Sequence, residues 1–118
     1  MAADIDLLAL QAVALNAAAN GVAVETTAED LLAAAPVAGF DVVLVGDLFY
    51  ERRLAGRVLA YVETAASLGA TVLIGDPKRN YLPKSGLIEL AVYDVVTTRE
   101  LEDREVRRTK VWRVSADR

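Results

Sequence analysis

Two apolar runs of the chain end on the same dipeptide, Asp41-Val-Val-Leu-Val-Gly46-Asp47 and Thr71-Val-Leu-Ile-Gly75-Asp76. A glycine lets another group come close to the backbone, and a carboxylate beside it can orient a cation or accept hydrogen bonds from hydroxyls. Asp47 continues into Leu48-Phe49-Tyr50, which places aromatic surface beside the carboxylate. Such a wall excludes water around a cationic or polar group and adds up to ~2 kcal/mol of cation–π attraction once desolvated. The loop Lys78-Arg79-Asn80-Tyr81 beyond the second tip is a candidate substrate contact. Each residue also has a plain structural use: a cap or turn for the aspartates, core for Phe49 and Tyr50, a solvated surface for the loop. Two Gly-Asp tips in the same register favour a ligand site over two unrelated turns.

The chain has no histidine and no cysteine. A Ser-His-Asp triad, a disulfide and a thiolate metal site are therefore excluded, and no metal site is expected. The glycines stand at positions 21, 39, 46, 56, 69, 75 and 86, a spacing without a G-x-G-x-x-G or P-loop phosphate cradle. The net charge of −4, without a lysine/arginine block, points away from nucleic acid and membrane surfaces. No apolar run reaches the ~20 residues of a membrane span, and no leader is visible at Met1, so the cytoplasm is the expected compartment.

Helical spacing and caps supply the elements between the tips. Asp6 reads as an N-cap for a helix with Leu8, Ala12, Leu15 and Ala19 on one stripe, stopped by Asn20-Gly21. Val22–Thr26 reads as a short strand, and Thr27-Ala-Glu-Asp30 as a loose capping box opening a helix that Pro36 closes. A helix from about Glu51 to Leu68 carries Leu54, Val58, Tyr61, Val62 and Ala65 on one face and ends at Gly69. Ser85 is expected to cap a short helix to about Tyr93. The stretches Val95–Leu101 and Val106–Val114 then form an antiparallel hairpin, with Trp112 in the core. The charge alternation from Arg104 to Lys110 reads as a solvated face or sheet-edge protection.

This order of elements predicts one α/β domain over 118 residues, a parallel sheet flanked by helices with an antiparallel edge. All strand tips of such a sheet point one way, so Asp4, Thr26, Asp47 and Asp76 are expected along one rim. Asp4, at the tip of the first strand, is suited to accept hydrogen bonds from a ribose diol.

Ala3-Asp-Ile-Asp6, Ala14-Leu-Asn-Ala17 and Asn20 resemble the second strand and helix of seven-strand S-adenosylmethionine-dependent methyltransferases. Asp47-Leu-Phe-Tyr50 resembles the D-x-x-Y motif after strand four in the protein-lysine methyltransferase group called family 16. Gly46-Asp-Leu-Phe-Tyr-Glu51, Leu73-Ile-Gly-Asp-Pro-Lys-Arg79 and Thr109-Lys-Val-Trp112 together resemble the electron-transfer-flavoprotein β-subunit lysine methyltransferases. The resemblance takes in nearly the whole chain and the C-terminal two-thirds of the family's fold. It implies a Rossmann-like sheet lacking its first strand, S-adenosyl-L-methionine as cofactor, and a protein substrate such as the electron transfer flavoprotein β subunit.

Carried over by position, the resemblance implies that Asp4 takes the ribose hydroxyls and that Thr26 and Asp30 lie near the adenine, with Gly46 also at the cofactor. Asp47 and Tyr50 border the methyl group and the incoming lysine, and Phe49, Asp76, Pro77 and Arg79 form the substrate mouth. The family's fold opens with a first strand and a glycine-rich loop that this chain does not contain. That strand lies mid-sheet, between strands two and four. Its absence is expected to leave unpaired edges at about 1–3 kcal/mol per buried group, open to self-association or to direct pairing of strands two and four. A truncated lysine methyltransferase is one functional expectation, and a catalytically inactive α/β binding module that keeps the rim is the other.

Overall fold

The computed structural model describes residues 1–36, 39–77, 80–99 and 103–116, with 97–99 and 103–105 described by backbone alone. The chain divides into two compact units, Met1–Ala35 and Pro36–Arg118. The class is mixed α/β, as expected, but the described strands form two sheets instead of one. Asp4 and Thr26 belong with the first sheet, whereas Asp47 and Asp76 belong with the second.

In the first unit β1 (Ala2–Ala3) pairs in parallel with β2 (Thr26–Thr27), in the register Ala2 with Thr26 and Ala3 with Thr27. The ladder stops there because the chain turns at once into α1 (Leu7–Ala19), whose cap is Asp6, its carboxylate accepting from the Leu8 N–H at 2.9 Å. The helix ends in a Schellman motif, with Gly21 at φ +64° and the Val22 N–H on the Ala17 carbonyl. Its expected stripe is turned outward, with Leu8 and Leu15 each 73% exposed, while Ala9, Leu10, Val13 and Ala17 are half-buried. A helix of alanine and leucine on nearly every side has no face preference of its own. The expected helix from Thr27 to Ala35 is only a 3-10 turn, Leu31–Ala33. Thr27 is spent on β2, and Pro36 disfavours helical backbone at the residue before it.

In the second unit β3 (Val42–Gly46) leads through α2 (Arg52–Ser67) to β4 (Thr71–Asp76), parallel to β3 and in register from Val42–Thr71 to Gly46–Gly75. β5 (Leu87–Arg99) and β6 (Asp103–Val114) complete the sheet order β3-β4-β6-β5, with antiparallel pairing of β6 to both its neighbours. Val45, Val72 and Ile74 meet Ala55, Val58, Val62, Ala65 and Ala66 of α2 in the core, joined by Phe49 and Val114. Each valine or isoleucine fully buried there contributes about 1.5–3 kcal/mol. Trp112 is half-buried, opposite Ile74.

The helix expected from Ser85 to Tyr93 is corrected: Leu87 onward is strand, so the hairpin starts eight residues before the expected Val95. Leu87-Ile-Glu-Leu-Ala-Val-Tyr93 suits either period, and pairing with β6 decides for strand. A bulge between Glu89 and Ala91 adjusts the register. The edge-protection reading of Arg104–Lys110 is also revised, since β6 is an inner strand and Lys110 pairs with Asp76 of β4 in register. Its charges find partners across the hairpin instead, Arg108 with Asp94 at 3.4 Å and Lys110 with Glu89 at 2.6 Å. No helix among the described residues is long and apolar enough to cross a membrane.

Two glycines, one inside α2 and one just past its end, should respond to alanine in opposite directions. Gly56 lies mid-helix with nothing within 4 Å of an added Cβ, so Gly56→Ala is expected to stabilise by about 0.5–1 kcal/mol. Gly69, at φ +101° in the motif that ends α2, should lose about 1 kcal/mol or more as Gly69→Ala. Urea midpoints of the two variants read the difference directly.

Candidate functional site

The two Gly-Asp tips stand side by side at the carboxyl ends of β3 and β4. Gly46 and Gly75 are register partners, and the Asp47 N–H donates to the Gly75 carbonyl at 3.0 Å. A Cβ on either glycine would meet nothing within 4 Å, so the protein's own packing leaves room at both. Asp47 is exposed and has φ +56°, the one positive value at a non-glycine among the described residues. Aspartate tolerates this left-handed conformation better than most residues, but it remains a strained backbone at a strand tip, where binding sites concentrate.

Beyond Asp47 the loop is fixed from below and from its far end. Phe49 is 0% exposed and Tyr50, its neighbour, is 60% exposed. Glu51 then caps α2 with both carboxylate oxygens, accepting from the Arg53 N–H at 2.8 Å and the Leu54 N–H at 2.7 Å. The second loop is tied to the first by the Tyr81 N–H, which donates to the Phe49 carbonyl at 3.2 Å.

Those two N–H groups, Leu54 first and Arg53 next, hold the Glu51 carboxyl below its ordinary value of 4.5, and the nearby Arg53 charge adds a little. A carboxylate whose folded pKa is depressed contributes stability above its unfolded pKa and loses it as pH falls through the folded value. The cap's contribution should therefore be complete at neutral pH and fade below about pH 4.5. Thermal melts of Glu51→Gln are expected to lie below those of the wild type at pH 7 and to approach them in acid.

Of the residues placed at the substrate mouth by sequence, Phe49 and Asp76 are both fully enclosed. They support the tip from beneath and offer no contact surface. Pro77 is half-buried behind Asp76, and Arg79 lies outside the described residues. In the first unit the Asp4 Oδ1 accepts from the Asp6 N–H at 2.9 Å, and the Asp30 Oδ1 accepts from the Leu32 N–H at 3.0 Å. Both aspartates thus hold local turns, and both remain exposed, as does Thr26. Sequence reasoning missed the capping role of Glu51, whose signal was an acidic residue directly before the helix. It also missed the tie between the two loops, a backbone bond that no residue type encodes.

One small cavity of about 20 Å³, lined in part by Phe40, Val43, Tyr61 and Ala70, lies at the opposite end of the β3–β4 pair from the tips. It has room for about one water molecule. The chemistry of the second unit is therefore an exposed carboxylate and an exposed tyrosine beside an open pair of glycines. That arrangement can align a cationic side chain. It offers no nucleophile and no histidine base.

Sequence comparison adds relatives to this geometry. The chain is 30% identical over 118 residues to the electron transfer flavoprotein beta subunit lysine methyltransferase of Danio rerio, covering 96% of this chain and 46% of that protein. It is 26% identical over 117 residues to the protein of the same name from Rattus norvegicus, covering 95% and 46%. The chain thus spans about half the length of the curated relatives it matches. No family model matches it, and no solved structure matches it significantly. The chain is a sequence relative of the lysine methyltransferases. The particular group it resembles is the one whose members are named for the electron transfer flavoprotein beta subunit.

Proposed function

We propose that the chain supplies the lysine-facing part of an S-adenosyl-L-methionine-dependent protein-lysine N-methyltransferase with a Rossmann-like sheet. The observation that carries this reading is the likeness to the two named methyltransferases along nearly the whole chain. The paired tips, Asp47 and Tyr50 support it with side chains suited to a lysine. Within the first unit, Asp4 is assigned to the donor's ribose hydroxyls and Thr26 and Asp30 to its adenine. The donor supplies an electrophilic sulfonium methyl group. A lysine would accept the methyl as its neutral amine, so the residues of this chain would act by aligning it. The Asp47 carboxylate favours the charged ammonium on binding, which makes it an orienting group and not a strong base. The lysine proton leaves to solvent before transfer. The proposed substrate is a protein, with the electron transfer flavoprotein β subunit the first to try.

The alternative is an inactive binding module that keeps this rim. Its support is the rim itself, an exposed carboxylate and tyrosine beside two open glycines with no histidine base, which suits binding without catalysis. A chimera separates the two readings, with this chain replacing the matching half of the Danio rerio relative. It is expected to methylate the flavoprotein subunit, as read by mass spectrometry. A folded, donor-binding chimera that transfers nothing would overturn the methyltransferase reading. The chain by itself is expected to bind S-adenosylmethionine weakly or not at all, and tight stoichiometric binding in a calorimeter would show that no glycine-rich loop is needed.

A further inference from the structure

The first loop presents Tyr50, 60% exposed, and the second presents Tyr81, 44% exposed. The Tyr81 N–H···O=C Phe49 bond, 3.2 Å long, joins Tyr81 to the peptide group that links Phe49 to Tyr50. Standard peptide dimensions then limit the two tyrosine Cα atoms to a separation of about 7.5 Å. The two exposed tyrosines thus stand within reach of one another on the loops beyond the open glycine pair, and Asp47 lies three residues before Tyr50. Phe49 is fully buried and fixes the peptide that holds both. A carboxylate with two aromatic rings close by is a chemistry for an alkylammonium group, attracted by charge and by the ring faces.

We infer that Tyr81 is a positioning residue for the substrate, forming with Tyr50 an aromatic pair that receives the lysine side chain. The inference rests on the lysine methyltransferase reading and adds a residue from the second loop to it. Cation–π attraction acts on the ammonium form, so Tyr81 governs substrate capture more than the transfer step. The ring carries this role and the hydroxyl does not. The backbone bond to Phe49 would survive any side-chain replacement other than proline, so loop structure and ring function can be varied separately.

The test is an NMR titration of the full chain, carrying isotope-labelled tyrosine rings, with acetyl-lysine amide as probe and acetyl-norleucine amide as its neutral counterpart. The Tyr50 and Tyr81 signals are expected to move together on one saturation curve with the lysine probe only. Tyr93, 58% exposed on β5, should stay still and serves as the control for nonspecific binding. Tyr81→Leu should weaken the probe at least about fivefold, which corresponds to about 1 kcal/mol. Tyr81→Phe should stay within about twofold of the wild type. The inference is overturned if Tyr50 responds and Tyr81 does not, if neither responds, or if Tyr81→Leu binds as the wild type does. Failure of the methyltransferase reading would appear elsewhere, as a chimera without transfer while the tyrosine response persists.

Discussion

Asp47→Gly is expected to be more stable than Asp47→Ala by about 0.5–1 kcal/mol and, in the chimera, to remove most of the methyl transfer. A left-handed backbone costs an ordinary L-residue ~1–2 kcal/mol, and aspartate somewhat less. Asp47 holds φ +56° in an exposed position, so glycine relieves that strain without opening a cavity. The hydrogen bond from its N–H to the Gly75 carbonyl belongs to the backbone and is kept. The greater freedom of glycine in the unfolded chain returns part of the gain, which keeps the estimate small. Asp47→Asn should sit near the wild type in stability, because asparagine also tolerates this conformation, and Asp47→Ala should be the least stable of the set. In the chimera, the asparagine variant should lose about a hundredfold in transfer through lost orientation of the lysine. Denaturation curves and transfer rates on the same variants check both halves. A glycine variant no more stable than the alanine variant would mean that no strain is stored at the tip.

The largest loss of stability should come two residues on, at Phe49. Phe49→Ala removes a fully buried ring and is expected to cost about 3–5 kcal/mol. That is a large part of the ~5–15 kcal/mol that holds a typical domain together. Phe49→Leu keeps most of the volume and should cost about 1 kcal/mol. Tyr50→Ala, next in the chain but 60% exposed, should stay within about 0.5 kcal/mol of the wild type. Urea unfolding followed by the fluorescence of Trp112, the chain's one tryptophan, reads all three, since Trp112 pairs with Ile74 in the same sheet. Equal losses at Phe49 and Tyr50 would show that both rings are core. The contrast also separates their roles, with Phe49 holding the loop and Tyr50 facing outward.

The parts of the fold that could be read in advance share one property: their signals are local and agree with one another. β3 and β4 are unbroken apolar runs closed by glycine, and α2 has both an apolar face and a glycine stop, so their limits fell within a residue or two of expectation. α1 was located equally well but its buried face was not, because alanine and leucine surround it. The segment from Ser85 to Tyr93 carried signals for two periods, and a partner strand some twenty residues away settled which one held. Asp30 and Glu51 act as caps, and Asp4 holds a turn for the cap Asp6. An acidic residue ahead of a helix has the same signature whether it closes the helix or meets a ligand.

By itself the sequence determined that two strands end in Gly-Asp, that a helix joins them, and that an aromatic motif follows the first tip. Those properties depend on residue type and spacing along a single segment. Only the tertiary structure decided that the glycines are register partners, that Asp76 and Phe49 are enclosed while Asp47 and Tyr50 face outward, and that Tyr81 is tied to the first loop. Burial and cross-strand pairing are set by which surfaces meet. Segments far apart in the chain make those contacts, and no local pattern of residues specifies them.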